Sequence, residues 1–175
     1  ATDVEGQIDM LLKVVPSAKT VGIFYNSSEV NSEVQADQAK QALEAKGVKV
    51  EVATVTSTND VQQTMTSLAA KVDAIYLPTD NTVASTASTI GEILQEAKVP
   101  AMGSDAAVID ATLFTYGVDY HAIGVQAGEL AVKILKGDEP ADLPVEKPNT
   151  AAVTVNEEMA TALGFDAETI KALEK

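Results

Sequence analysis

Apolar positions along the chain switch period in a regular alternation. Ile8, Leu11, Leu12 and Val15 recur at helical spacing, Pro16 and Lys19 close that stretch, and Val21 to Tyr25 follows as a buried strand. After Asn26-Ser27-Ser28 a second helix turns Ala36, Ala39, Ala42 and Leu43 inward and stops at Gly47; Val48 to Val52 then alternates with period two, as a strand does. Thr58-Asn59-Asp60 forms a capping cluster ahead of a helix carrying Val61, Met65, Leu68 and Ala69. Ala74 to Leu77 is a short buried strand, and Val83, Ala87, Ile90, Leu94 and Ala97 mark the clearest helix of the chain. Pro100-Ala101-Met102 leads as a fourth strand into Gly103, and a fifth around Leu113 to Tyr116 precedes a helix with Ile123, Ala127, Leu130, Ala131 and Ile134 inward and Gly137 as its stop. Asp138 to Pro148 reads as a charged, Pro-rich surface connection, Ala151 to Val155 as one more strand, and Glu157 to Leu163 as a short terminal helix.

Strand, polar loop and helix thus recur at least three times, which predicts an α/β three-layer sandwich with a mostly parallel sheet, a Rossmann-like or flavodoxin-like lobe. In such a sheet the ligand crevice lies outside the carboxyl ends of the strands, where helix N-termini aim free amides outward. Four loops meet that edge: Asn26-Ser27-Ser28-Glu29-Val30-Asn31-Ser32, Pro78-Thr79-Asp80-Asn81-Thr82, Gly103-Ser104-Asp105 and Tyr116-Gly117-Val118-Asp119-Tyr120. Each is rich in hydroxyls or carboxylates. Asn, Ser, Thr and Asp are also the best helix N-caps, so the argument rests on four such loops sharing one edge and not on any single residue. The candidate ligand contacts are Asn26, Ser27, Ser28, Asn31, Thr79, Asp80, Asn81, Ser104, Asp105 and Tyr116.

Composition narrows the chemistry. The 175 residues carry 26 acidic against 12 basic side chains, a formal charge of −14, which repels nucleic-acid backbones and anionic lipid headgroups. Every basic residue is Lys, so an anion has only backbone, hydroxyls or Lys to hold it. With no Cys and the single His121, a structural zinc site, a thiol nucleophile and most hydrolase or redox chemistry are gone. No Gly-x-Gly-x-x-Gly follows a strand, and no Gly-x-x-x-x-Gly-Lys-Ser/Thr occurs. Asp80 and Asp105 also read as a paired-carboxylate acid/base site or a receiver-type metal site, but neither has a Lys or His partner in its loop. No apolar run approaches the roughly 20 residues of a membrane span. No catalytic residue, metal or cofactor is expected.

Taken together, Val21 to Ser32, Val72 to Ala84, Gly103-Ser104-Asp105 and Thr115 to Tyr120 resemble the substrate-binding proteins of bacterial ABC transporters of the type I periplasmic-binding fold, in the subfamily of tryptophan and other aromatic amino-acid binders. Ile134 to Glu146 also looks like that family's late helix and crossover. The resemblance implies a non-catalytic role: a small solute, an amino acid by preference, is captured between two lobes, a hinge closes, and the solute passes to a membrane permease. It also implies an extracytoplasmic location with a lipid anchor ahead of residue 1. Asp105 falls where the family places an acidic ligand contact, Thr79 to Asn81 match the neighbouring contact loop, and Tyr116 to Tyr120, with Gly117, Asp119 and Tyr120, match a hinge crossover.

The expected domain is one α/β lobe over residues 1–175, the C-terminal lobe of a two-lobe protein, with hinge or crossover segments at 115–121 and 137–150 and the N-terminal lobe absent. Asp105 and Asp80 can face an ammonium, while Ser27, Ser28 and the amides opening the second helix can hold a carboxylate without Arg. A lobe parted from its partner leaves the stripe Ile123, Ala127, Leu130 and Ile134 uncovered, so self-association is expected. Two alternatives share the fold: a flavodoxin-like or receiver-like domain acting on phosphate or flavin, and a sensor domain fused upstream of a regulator.

Overall fold

The computed structural model describes residues 3–118, 120–146 and 151–174. Helix α1 (Val4–Val14) leads into β1 (Thr20–Asn26), followed by α2 (Val30–Ala45), β2 (Lys49–Val55), α3 (Val61–Ala69) and β3 (Ala74–Leu77). Two helices, α4 (Asn81–Ser85) and α5 (Ala87–Ala97), precede β4 (Ala101–Gly103), a 3-10 turn at Ala106–Ala111, β5 (Phe114–Val118) and α6 (Tyr120–Leu135). The chain ends with β6 (Ala151–Val155), α7 (Glu157–Leu163) and α8 (Ala167–Lys171). The six strands form one sheet in the order β2-β1-β3-β4-β5-β6, parallel throughout except for β6, which runs antiparallel to β5.

Alternation along the central strands feeds two cores. From β1, Val21, Ile23 and Tyr25 point to one face and Phe24 to the other; from β3, Ala74 and Tyr76 join the first face while Ile75 and Leu77 join the second. The first face is covered by Ile8 and Leu11 of α1, Ala36, Ala39 and Leu43 of α2 and Ile170 of α8. The second is covered by Met65 and Leu68 of α3 and Ile90 and Leu94 of α5. Strands buried on both faces read as unbroken apolar runs, which is why Val21 to Tyr25 and Ala74 to Leu77 lack polar alternation.

Two local departures have physical causes. The helix expected from Val83 to Ala97 is broken at Thr86, whose φ is −117°. The Thr86 hydroxyl donates to the carbonyl of Thr82 at 2.8 Å, so a side chain competes with the backbone for an acceptor of the previous turn. The second departure is α6, which forms as expected but buries none of its described residues. Val125, Val132, Ile134 and Leu135 are exposed, because α1, α2, α3 and α5 already cover the sheet faces.

Candidate functional site

The order 2-1-3-4-5 reverses direction between β1 and β3, and a doubly wound sheet opens its crevice at such a switch point. The loops after β1, β3 and β4 converge there. Asn26, the last residue of β1, donates its backbone N–H to Asp80 Oδ2 at 2.8 Å and its side-chain amide to the Thr82 hydroxyl at 2.7 Å. Asn31 Nδ2 and Ser32 Oγ both donate to the Thr79 carbonyl at 2.9 Å, and Thr79 N donates to Gln35 Oε1 at 3.1 Å. The β3 loop is thus lashed to the β1 loop.

Beside this seam lies a cavity of about 260 Å³ lined by Thr79, Asp80, Asn81, Asp105 and Tyr120, with Ala84, Ala107 and Val108 as its apolar wall. Among the described residues its lining carries two carboxylates and no basic side chain. The two acids are held differently. Asp80 caps α4, its Oδ1 accepting from Val83 N at 2.9 Å while Oδ2 takes the Asn26 amide, so each oxygen already holds a backbone donor. Asp105 caps the 3-10 turn through Ala107 N at 2.8 Å, and its Oδ2 accepts from the Tyr120 hydroxyl in a short bond. That bond, ahead of desolvation, pushes the Tyr120 phenol up to about 12, so it remains a donor at neutral pH. A carboxylate has about four acceptor sites, so these bonds do not exhaust the acceptor capacity of either acid.

Of the residues expected at the site, Thr79, Asp80, Asn81 and Asp105 share this cavity, together with Tyr120 from the expected hinge. Ser104 is buried behind it and pairs its hydroxyl with that of Thr79 at 3.0 Å. Asn26 and Asn31 support the seam and do not line the cavity. Ser27 and Ser28 are exposed; Ser27 N turns to the Val55 carbonyl of β2 and Ser28 N to Asn26 Oδ1. Tyr116 and Gly117 sit within β5, where Tyr116 is half-buried, and Tyr120 opens α6. Asp119 and residues 147–150 of the expected crossovers lie outside the described residues.

Glu29 is a residue of the seam that the sequence pattern does not single out. Its carboxylate accepts from the amides of Asn81 (3.1 Å) and Thr82 (3.2 Å) and from Asn81 Nδ2 (2.9 Å). Desolvation alone works to raise its pKa, and those amide bonds outweigh it and hold the carboxyl below the usual range. The start of α4 is therefore already filled by the chain's own acids, Glu29 and Asp80. Because the folded pKa is lowered, the stability Glu29 supplies is complete above its ordinary pKa and is lost as pH falls through the folded value. Glu29→Ala should cost about 1 kcal/mol at pH 7, as for a lost cap, and clearly less at pH 3. Thermal melts of both proteins at the two pH values measure this; an equal cost at both would assign the loss to packing.

An open α/β sheet with a polar, acid-walled crevice at its switch point has the architecture in which such folds place small-molecule sites. The chain belongs to the ABC transporter substrate-binding protein family, whose model matches residues 1–171. It is 31% identical over 161 residues to a tyrosine-binding protein of Clostridioides difficile, covering 91% of this chain and 47% of that protein. In structure it is similar to an ABC domain from Streptococcus pneumonia in complex with L-Trp, with a TM-score of 0.83, 35% identity, and 99% of this chain and 60% of that one covered. A ligand-free, open substrate-binding protein with adhesive properties from Clostridium difficile matches with a TM-score of 0.81 at 38% identity, over 93% of this chain and 56% of that one. The chain spans about half the length of the curated relatives it matches. Strand order alone would leave a flavodoxin-like reading open; the match to the substrate-binding protein family decides against it.

Proposed function

We propose that this chain is one lobe of an extracytoplasmic, non-catalytic solute-binding protein that captures an aromatic amino acid and delivers it to the permease of an ABC importer. The observation that carries the reading is the cavity that Asp105 and Asp80 line together with the apolar Ala84, Ala107 and Val108. An amino acid offers a match: its ammonium meets carboxylates that keep open acceptor sites, and its side chain meets apolar surface. The binding partners named for the tyrosine-binding relative and the L-Trp complex agree with that chemistry. Asp105 is the principal ammonium contact in this reading, with Thr79 and Asn81 beside it. The residues around Gly117 and Tyr120 act as the hinge, and the ligand carboxylate is held by the opposing lobe.

Calorimetric titration of the two-lobe protein with a panel of amino acids and sugars tests this. L-tyrosine or L-tryptophan should bind at micromolar affinity or better, and neutral sugars should not bind. The 175-residue chain alone should bind at least a hundredfold more weakly, since one wall leaves the ligand half solvated. Preference for a sugar, or equal affinity in the single lobe, would overturn the reading.

A further inference from the structure

Gln7 of α1 is 1% exposed and lies at the junction of three strands. Its Nε2 donates to the Tyr116 carbonyl at 2.7 Å and, more loosely, to the Ser104 carbonyl at 3.4 Å, while its Oε1 accepts from the Tyr76 hydroxyl at 2.8 Å. The orientation of this amide is dictated chemically: two carbonyls can only accept, so the nitrogen faces them and the oxygen faces the phenol. Tyr76 is fully buried, and desolvation pushes its phenol far up, so it stays a donor.

The position of these contacts gives them their meaning. The β4–β5 ladder ends at the pair Gly103 and Thr115. The next residues on each strand are Ser104 and Tyr116, and it is their carbonyls that Gln7 joins. A side chain from α1 thus extends the pairing by one step at the point where β4 turns into the Asp105 loop and β5 runs out towards the hinge. At Gly117 a Cβ would intrude on the Ser104 carbonyl oxygen, so the two strands stay in close approach there. Ser104 passes the constraint on, since its hydroxyl pairs with that of Thr79 and its backbone N–H donates to the Leu77 carbonyl at 2.9 Å.

We infer that Gln7 is a positioning residue of the binding site: by bridging the carbonyls of Ser104 and Tyr116 it sets the placement of the Asp105 loop against the hinge end of β5. The inference rests on the reading above that Asp105 contacts the ligand. Other side chains fail in this place for definite reasons. Met or Leu takes the Nε2 donor from two carbonyls and the Oε1 acceptor from the Tyr76 phenol, and Glu sets a carboxylate oxygen against two carbonyl oxygens.

The test compares Gln7→Met and Gln7→Ala, the latter with room for water, against Tyr76→Phe in the two-lobe protein. Tyr76→Phe removes a hydroxyl from the same buried network but leaves Nε2 on both carbonyls. Three quantities are read: the thermal midpoint, the affinity for L-tyrosine and L-tryptophan, and amide hydrogen exchange over residues 105–107 and 116–117. All three variants should melt lower. Only the two Gln7 variants should lose tenfold or more in affinity and exchange those amides at least tenfold faster, while Tyr76→Phe stays within threefold on both counts. Gln7 variants that melt lower yet keep wild-type affinity and local protection would reduce Gln7 to a core residue and overturn the inference. If the unmutated protein binds no amino acid, the reading of function fails, and the exchange data still decide the role of Gln7: faster exchange at 105–107 supports it, unchanged exchange overturns it.

Discussion

Gly91→Ala should destabilise the chain by about 1–3 kcal/mol, although Ala is the better helix former. In an isolated helix the exchange would gain about 1 kcal/mol. Gly91, however, is buried on α5 where that helix meets the 3-10 turn of Ala106–Ala111. An added Cβ would overlap the Asp110 carbonyl oxygen, with the carbonyl carbon only 3.1 Å away. Both obstacles are main-chain atoms, so no rotamer change relieves them, and the helix must move off a core that includes Ile90 and Leu94. For a domain of this size the cost corresponds to a fall in melting temperature of roughly 2–4 °C per kcal/mol. Gly128→Ala is the matched control. It sits in α6, and a methyl group there would meet nothing within 4 Å beyond its own helix. Its midpoint should not fall. A Gly91→Ala chain that melts at or above the wild type would show that α5 and the turn can part freely, against the packing described.

The contrast between those glycines illustrates what the sequence disclosed. Elements defined by local periodicity were legible: Ala74 to Leu77 and Ala151 to Val155 form strands at the expected residues, and Val21 to Tyr25 lies within β1. Runs of apolar residues between polar loops carry that information along the chain. The break at Thr86 was not legible, because Val83, Ala87, Ile90 and Leu94 keep helical phase across it and only a hydroxyl bond to Thr82 interrupts the backbone. Nor was α8 legible, since its five residues are too few to show a period.

At the site, residue types pointed to one edge of the sheet, and four of the named loop residues line one cavity there. Their roles depended on contacts between positions far apart in the chain. Asn26 and Asp80 are separated by 54 residues, and Gln7 and Tyr116 by 109. A signal for Gln7 was present all the same: it adjoins Ile8 and stands one turn before Leu11 on the inward face of α1, where an uncharged polar residue implies a buried partner. Glu29 likewise lies inside a loop that the sequence marks, shortly after Asn26, yet only the approach of α4 gives its carboxylate amides to accept from.

The two carboxylates of the cavity should respond in opposite ways to the same small change. Asp105→Asn in the two-lobe protein should weaken amino-acid binding by about one to two decades, since a charge-assisted hydrogen bond to an ammonium in a closed cleft contributes roughly 1.5–3 kcal/mol. Its fold should hardly notice. Asn caps as well as Asp, its oxygen can still accept from Ala107 N, and its amide can donate to the Tyr120 hydroxyl. Asp80→Asn is the harsher change for stability. Asp80 is 4% exposed and accepts a backbone N–H on each oxygen, from Asn26 and Val83. An amide can satisfy only one of these and sets its NH₂ against the other, which costs about 1–3 kcal/mol for a buried donor left unpaired. Ligand titration beside a thermal melt for each variant separates the two roles: lost affinity with an intact melt marks the ammonium contact, and a lowered melt marks the clamp between the β1 and β3 loops. Unchanged affinity in Asp105→Asn would remove Asp105 from the ligand contacts and move recognition of the ammonium to the open acceptor sites of Asp80.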